Sequence, residues 1–210
     1  MVWYNTNKKK RLDNMIKKFS LAALLLLSLL TVSQAQSAVQ YPTMKITDIN
    51  GKSYTVKGTD NGLDIEGVKG KVVFLEFFGH NCPPCLASIP HLINLQKKYK
   101  DKLAVIAIEV QGYTTDQLRE FAKRKGMNYT VVSDRDAGML VDYIAQRAQW
   151  RGSIPFLVAM DTTGSVQFVQ AGMLPEAALE DLIAQLSAPK KAKADNNAST
   201  PAKAESNSSK

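Results

Sequence analysis

The chain has 210 residues and a formal charge of +8, and Cys occurs at only two positions. The charge sits at the ends: residues 1–38 carry six Lys or Arg against Asp13, and residues 189–210 carry five Lys against Asp195 and Glu205. Residues 39–188 are therefore close to neutral, and the stripe of cationic residues that nucleic-acid binding needs is not evident in them; their number suits one domain.

In chain order, Lys17 and Lys18 precede an apolar run at 19–32 and then Ser33-Gln34-Ala35. Positive region, short greasy core and small-x-small site are the order of a secretory signal peptide, here residues 1–35 with Met15 as a natural start. The run of 14 residues is short of the roughly 20 that span a bilayer; an uncleaved anchor is the alternative.

Met44 and Ile46, then Tyr54 and Val56, alternate with polar neighbours around Asn50-Gly51, a hairpin turn signal. A Gly-punctuated stretch follows at 58–70. Val72-Val73-Phe74-Leu75-Glu76-Phe77-Phe78 is the apolar run of a central strand covered on both faces. A helix is predicted from Cys82 toward Lys100 and a buried strand over 103–110. Thr114 and Gln117 form a capping box, and Gly126 closes the helix it opens.

A short strand at 129–132 and a helix at 136–150 come next. Strands at 156–160 and 166–169 are joined through Thr163-Gly164. A last helix from Pro175 repeats Leu179, Leu182, Ile183 and Leu186 at helical spacing. Residues 189–210 have almost no apolar side chain larger than Ala, too little to offset chain entropy, and are expected to be disordered. Within them Asn197 and Asn207 each sit two residues after an acid in Asn-x-Ser, candidate glycosylation acceptors if the match is not coincidence.

The two cysteines form Cys82-Pro83-Pro84-Cys85. Behind a signal peptide they meet an oxidising compartment in which paired thiols form disulfides. A bridge across two residues constrains the unfolded chain little, so chemistry explains the spacing better than stapling. Half a zinc site is the other reading, and it lacks further Cys ligands. Cys82 follows a strand and opens a helix, where free N–H groups and the helix dipole favour a thiolate. Pro83 suits a first turn that has no use for its N–H. Glu76 interrupts the apolar strand six residues earlier; buried there, its carboxyl would be pushed up and could take a proton. The alternative is a strand-edge Glu reaching solvent.

A hairpin, then strand, Cys-x-x-Cys and helix, then strand, helix and strand, then Ile154-Pro155 before a second hairpin resembles the thioredoxin fold. The fold class expected is α/β, a mixed central sheet flanked by helices, with an extra N-terminal β-hairpin. With the leader, the chain is similar to the TlpA/ResA-type branch of exported thiol–disulfide oxidoreductases over 40–188. The resemblance implies that Cys82 attacks a partner disulfide and that Cys85 resolves the mixed disulfide. It implies that Glu76 accepts the Cys85 proton, and that a cis Ile154-Pro155 bond faces the redox pair. Ile154 and Pro155, with Pro83 and Pro84, would then bind the partner by strand addition. Pro90 matches the proline that kinks the family's first helix.

Three departures matter. Phe78 and Asn81 stand where the family usually has Trp, Ser88 where some reductases have Glu, and Phe156-Leu157 where cytochrome c maturation members have Glu-Thr or Thr-Thr. Cytochrome c maturation is thus one allowed task rather than an implied one. Pro84 gives the thiolate no donor or charge and Pro83 removes an N–H, which moves the couple toward reducing its partners.

The function expected is a periplasmic, monomeric disulfide reductase without a cofactor. It would act on exported proteins and, by resemblance, take electrons from a membrane thiol reductase. The alternatives are a copper chaperone using the same thiols and a disulfide-forming oxidase. His80 is expected in an exposed loop.

Overall fold

The computed structural model describes residues 39–188. The signal peptide expected at 1–35 and the tail at 189–210, with Asn197 and Asn207, lie outside the described residues.

Three strands come first: β1 (Thr43–Thr47), β2 (Ser53–Gly58) and β3 (Leu63–Ile65), an antiparallel sheet in that order. Gly51 turns the first hairpin at φ 85°, the left-handed backbone that glycine adopts without steric cost. The third strand was hidden in the Gly-rich stretch. It is short, and Leu63 and Ile65 bury one face while β2 supplies its pairing.

The main sheet has the order β6-β5-β4-β7-β8. Its strands are β4 (Val72–Phe78), β5 (Leu103–Glu109), β6 (Thr130–Ser133), β7 (Phe156–Met160) and β8 (Val166–Ala171). The helices are α1 (Pro83–Lys98), α2 (Thr115–Lys125), α3 (Asp134–Ala148) and α4 (Glu176–Ser187). β4 runs parallel to β5 and antiparallel to β7, so the sheet is mixed. Parallel neighbours need a crossover, and α1 and α2 provide the two that join β4 to β5 and β5 to β6. The capping box of Thr114 and Gln117 is made in full, and Gly126 ends α2 in the left-handed region.

Every residue of β4 is buried, which is why the strand reads as a continuous apolar run. Val73, Leu75 and Phe77 pack with the small sheet and with Leu140 and Ile144 of α3. Phe74 packs with Leu92 and Leu95 of α1 and Ile183 of α4, and Phe78 with Ile89 of α1 and Leu118 of α2. Helices therefore cover both faces. The C-terminal end of β4 delivers the chain directly to Cys82.

Candidate active site

β4 ends at Phe78, and Gly79-His80-Asn81 turns the chain into α1. Cys82 is the N-cap, with extended backbone, and its sulfur accepts from the Cys85 N–H at 3.3 Å. Pro83 and Pro84 fill the first two helical positions, whose N–H groups would have no helical partner in any case. The first turn holds no acidic residue, so no side chain there opposes negative charge on Cys82. The two sulfurs are joined as a disulfide with the Cα atoms 5.2 Å apart, inside the usual range. Cys82 is 7% exposed and Cys85 fully buried, so an incoming group meets Cys82 first.

The Ile154-Pro155 bond is cis, and the Ile154 carbonyl oxygen lies 3.8 Å from Cys82 Sγ. The Gly172 N–H donates to the Pro155 carbonyl at 2.8 Å, tying this loop to the end of β8. Behind it Trp150 stacks on Phe156 and donates to the Ser153 carbonyl at 2.7 Å. Ile154 and Pro155 thus sit beside the redox pair, with Ile154 lying 72 residues from Cys82 in sequence.

Glu76 turns inward rather than to solvent. It is 5% exposed, on the α1 face of β4, and the Ser88 hydroxyl donates to its Oε1 at 2.9 Å. Burial pushes its carboxyl up to about 7, and the Ser88 bond opposes the shift. Ser88 also lies 2.9 Å from the Cys85 carbonyl oxygen, so it links the carboxyl to the buried cysteine residue. Pro90 lies inside α1.

His80 is not simply exposed. Its Nδ1 is 2.8 Å from Oε1 of Glu109, a fully buried carboxyl, and its ring stacks on Tyr113 at 3.6 Å between centroids. Glu109 also accepts the N–H groups of Gln111 and Tyr113, and Gln111 in turn accepts the Asn81 N–H at 2.8 Å. The turn carrying Cys82 is thereby braced against the end of β5. The signal in the sequence was an acid closing the apolar strand 103–109. The parallel register that sets Glu109 beside Phe78 was needed to read it.

A Cβ on Gly79 would collide with the Gln111 side chain and the Ile154 Cδ1. Gly79→Ala is expected to cost about 1 kcal/mol, because the Gln111 side chain must move and give up the Asn81 N–H, and urea unfolding measures it. Among the described residues no group of three or more His, Cys, Asp or Glu is placed to hold a metal ion. Among the same residues no helix is long and apolar enough to cross a membrane.

A disulfide at the N-terminus of a helix that leaves a central strand, faced by an X-Pro loop, defines a thioredoxin-fold thiol–disulfide oxidoreductase. The chain belongs to the Redoxin family, which it matches over residues 36–186. It is 28% identical over 141 residues to the thiol–disulfide oxidoreductase ResA of Bacillus subtilis, covering 67% of this chain and 70% of that protein. It is 30% identical over 128 residues to the thioredoxin-like protein YneN of the same species, covering 60% and 70%. Among solved structures, a thioredoxin-family thiol:disulfide interchange protein from Chlorobium tepidum aligns with a TM-score of 0.60. That alignment covers 73% of this chain and all of the other at 20% identity, so it speaks for the fold alone.

Proposed function

We propose that this protein is a periplasmic disulfide reductase of exported proteins, loaded with electrons by a membrane thiol reductase. Cys82 is the nucleophile, Cys85 the resolving thiol and Glu76 the acceptor of the Cys85 proton. Ile154 and Pro155, with Pro83 and Pro84 across from them, form the edge on which an extended partner segment docks. The observation that carries this reading is the depth order of the three groups. Cys82 keeps a small exposed area, Cys85 is sealed beneath it, and Glu76 is buried behind Ser88.

Attack by a Cys82 thiolate gives a mixed disulfide and one partner thiolate. Cys85 then gives its proton to Glu76 and attacks Cys82 Sγ. The enzyme disulfide forms and the partner leaves with two added electrons.

Direction follows from how little stabilises the thiolate. Its donors are the Cys85 N–H and the helix end, and no side chain between the cysteines adds one. A couple of this kind favours giving electrons. The expected potential, measured against a glutathione or dithiothreitol series, is more negative than about −200 mV, with insulin reduced in the presence of dithiothreitol. A potential near −120 mV, the range of strong oxidants, would reverse the assignment. Cytochrome c maturation belongs to the same class of task, and apocytochrome is the client to offer first.

A further inference from the structure

Ser88 is a buried hydroxyl that the steps above do not use. Its Oγ lies 2.9 Å from Glu76 Oε1 and 2.9 Å from the Cys85 carbonyl oxygen. A hydroxyl has one proton to donate and lone pairs to accept with, so it cannot donate to both at once. When Glu76 is ionised, the carboxylate is the stronger acceptor and takes the Ser88 proton. When Glu76 is protonated, its own O–H needs an acceptor in a site closed to bulk water. Ser88 Oγ supplies one by turning its proton to the Cys85 carbonyl. One rotation of one hydroxyl therefore leaves both protonation states of Glu76 hydrogen-bonded, where a buried unmet polar group would be costly.

A cavity of about 20 Å³ adjoins the pair, bounded by Glu76, Ser88, Leu92, Pro155, Leu157 and Met173. It has room for one water molecule, and Met173 at its rim is 43% exposed.

We propose that Ser88 is a positioning residue for the resolution step, a hydroxyl switch that holds Glu76 as the Cys85 proton passes to it, with the cavity beside Pro155 as the proton's exit. In that step Cys85 loses its proton to Glu76, and Ser88 turns from the carboxyl to the Cys85 carbonyl. The Cys85 electron pair forms the Cys82–Cys85 bond, and the bond from Cys82 to the partner breaks. The partner departs as a thiolate and takes its proton from solvent. Glu76 then releases its proton through the cavity, and Ser88 turns back. The inference rests on Glu76 being the proton acceptor proposed above.

Of the side chains around Glu76, Ser88 and Leu92 of α1, Leu157 of β7 and Leu179 of α4 do not titrate. The titratable group that feels the charge of Glu76 is Tyr129, just ahead of β6, whose phenol is pushed far up by burial and stays neutral. In the proposed step the proton Glu76 takes is that of the Cys85 thiol.

The test uses full-length protein carrying Ser88→Ala, Ser88→Val, Ser88→Thr or Glu76→Gln. The probe is a mixed disulfide between Cys82 and a small fluorescent thiol, and its resolution rate is followed from pH 5 to 9. In the wild type the rate rises with pH as Glu76 ionises. Losing a donor to the carboxylate disfavours the ionised form, so Ser88→Ala and Ser88→Val should move this limb up by about one pH unit. At a pH below the limb that is about a tenfold slower rate. Ser88→Thr, which matches Val in shape but keeps the hydroxyl, should leave the limb in place.

An equal shift in Thr and Val makes the effect one of packing and overturns the proposal. An unmoved limb in Ala and Val, with the limb abolished in Glu76→Gln, overturns the role of Ser88 alone. A limb that survives in Glu76→Gln overturns the assignment of Glu76, and the switch with it.

Discussion

Cys82→Ser is expected to reduce disulfide exchange to the uncatalysed rate, while Cys85→Ser keeps the first attack and stalls on the second. A serine hydroxyl is not ionised near neutral pH, so neither the helix end nor the Cys85 N–H, which favour charge on Cys82, has an anion to act upon. In Cys85→Ser the thiolate at 82 still attacks. Position 85 is fully buried, so the mixed disulfide has no resolving sulfur and water does not replace it. Mass spectrometry of Cys85→Ser after exposure to a disulfide-containing protein should show one covalent adduct, released by dithiothreitol. No adduct with Cys85→Ser, or an equal amount with Cys82→Ser, would reverse the order of attack proposed here.

Losing the disulfide costs stability as well. A loop this short is worth roughly 2 kcal/mol on the chain-entropy account. Both serine variants should therefore unfold with the reduced wild type rather than the oxidised one, which separates a chemical defect from a folding defect.

The second large effect is on stability against pH. The Glu76 carboxyl is held at about 7 in the folded protein, against 4.5 as its ordinary value. Between those values the unfolded chain gives up a proton that the folded chain keeps. The folded state binds more protons, so its stability falls as pH rises. The contribution is fully present below pH 4.5 and gone above about pH 7. At 1.36 kcal/mol per pH unit the difference is about 3 kcal/mol, and the group is buried deeply enough that solvent screening removes little of it.

Glu76→Gln cannot ionise. Measured by urea unfolding of the oxidised proteins, it should gain about 3 kcal/mol on the wild type between pH 4.5 and pH 8. The amide itself lowers both values equally, because its N–H group is buried without a carboxylate's partners. Parallel curves for the two proteins would place the ionisation of Glu76 in its ordinary range.

Much of this site was legible in the chain because it is written locally. A Cys-x-x-Cys pair, a preceding apolar strand and prolines at the first helical positions are neighbours in sequence, and each constrains the next. The Thr114–Gln117 capping box and the Asn50-Gly51 turn were recoverable for the same reason. The short strand Leu63–Ile65 was not, since its evidence is pairing with β2 rather than a pattern of its own.

His80 shows the limit most clearly. As a residue in a loop it has no signal, and as the neighbour of a buried Glu109 it braces the turn that carries Cys82. The contact depends on the parallel register of β4 and β5, which are joined only through α1, so no local spacing specifies it.

The sequence by itself determined the redox pair, the order of the strands and helices other than β3, and the charge balance that leaves residues 39–188 close to neutral. Only the tertiary structure decided that Cys82 keeps a little exposure and Cys85 none, that Glu76 turns inward to Ser88, and that Ile154 lies against the Cys82 sulfur. The physical reason is that residue type and spacing determine which groups can react. How far each is removed from water, and what it then bonds to, is set by the elements packed over it from distant parts of the chain.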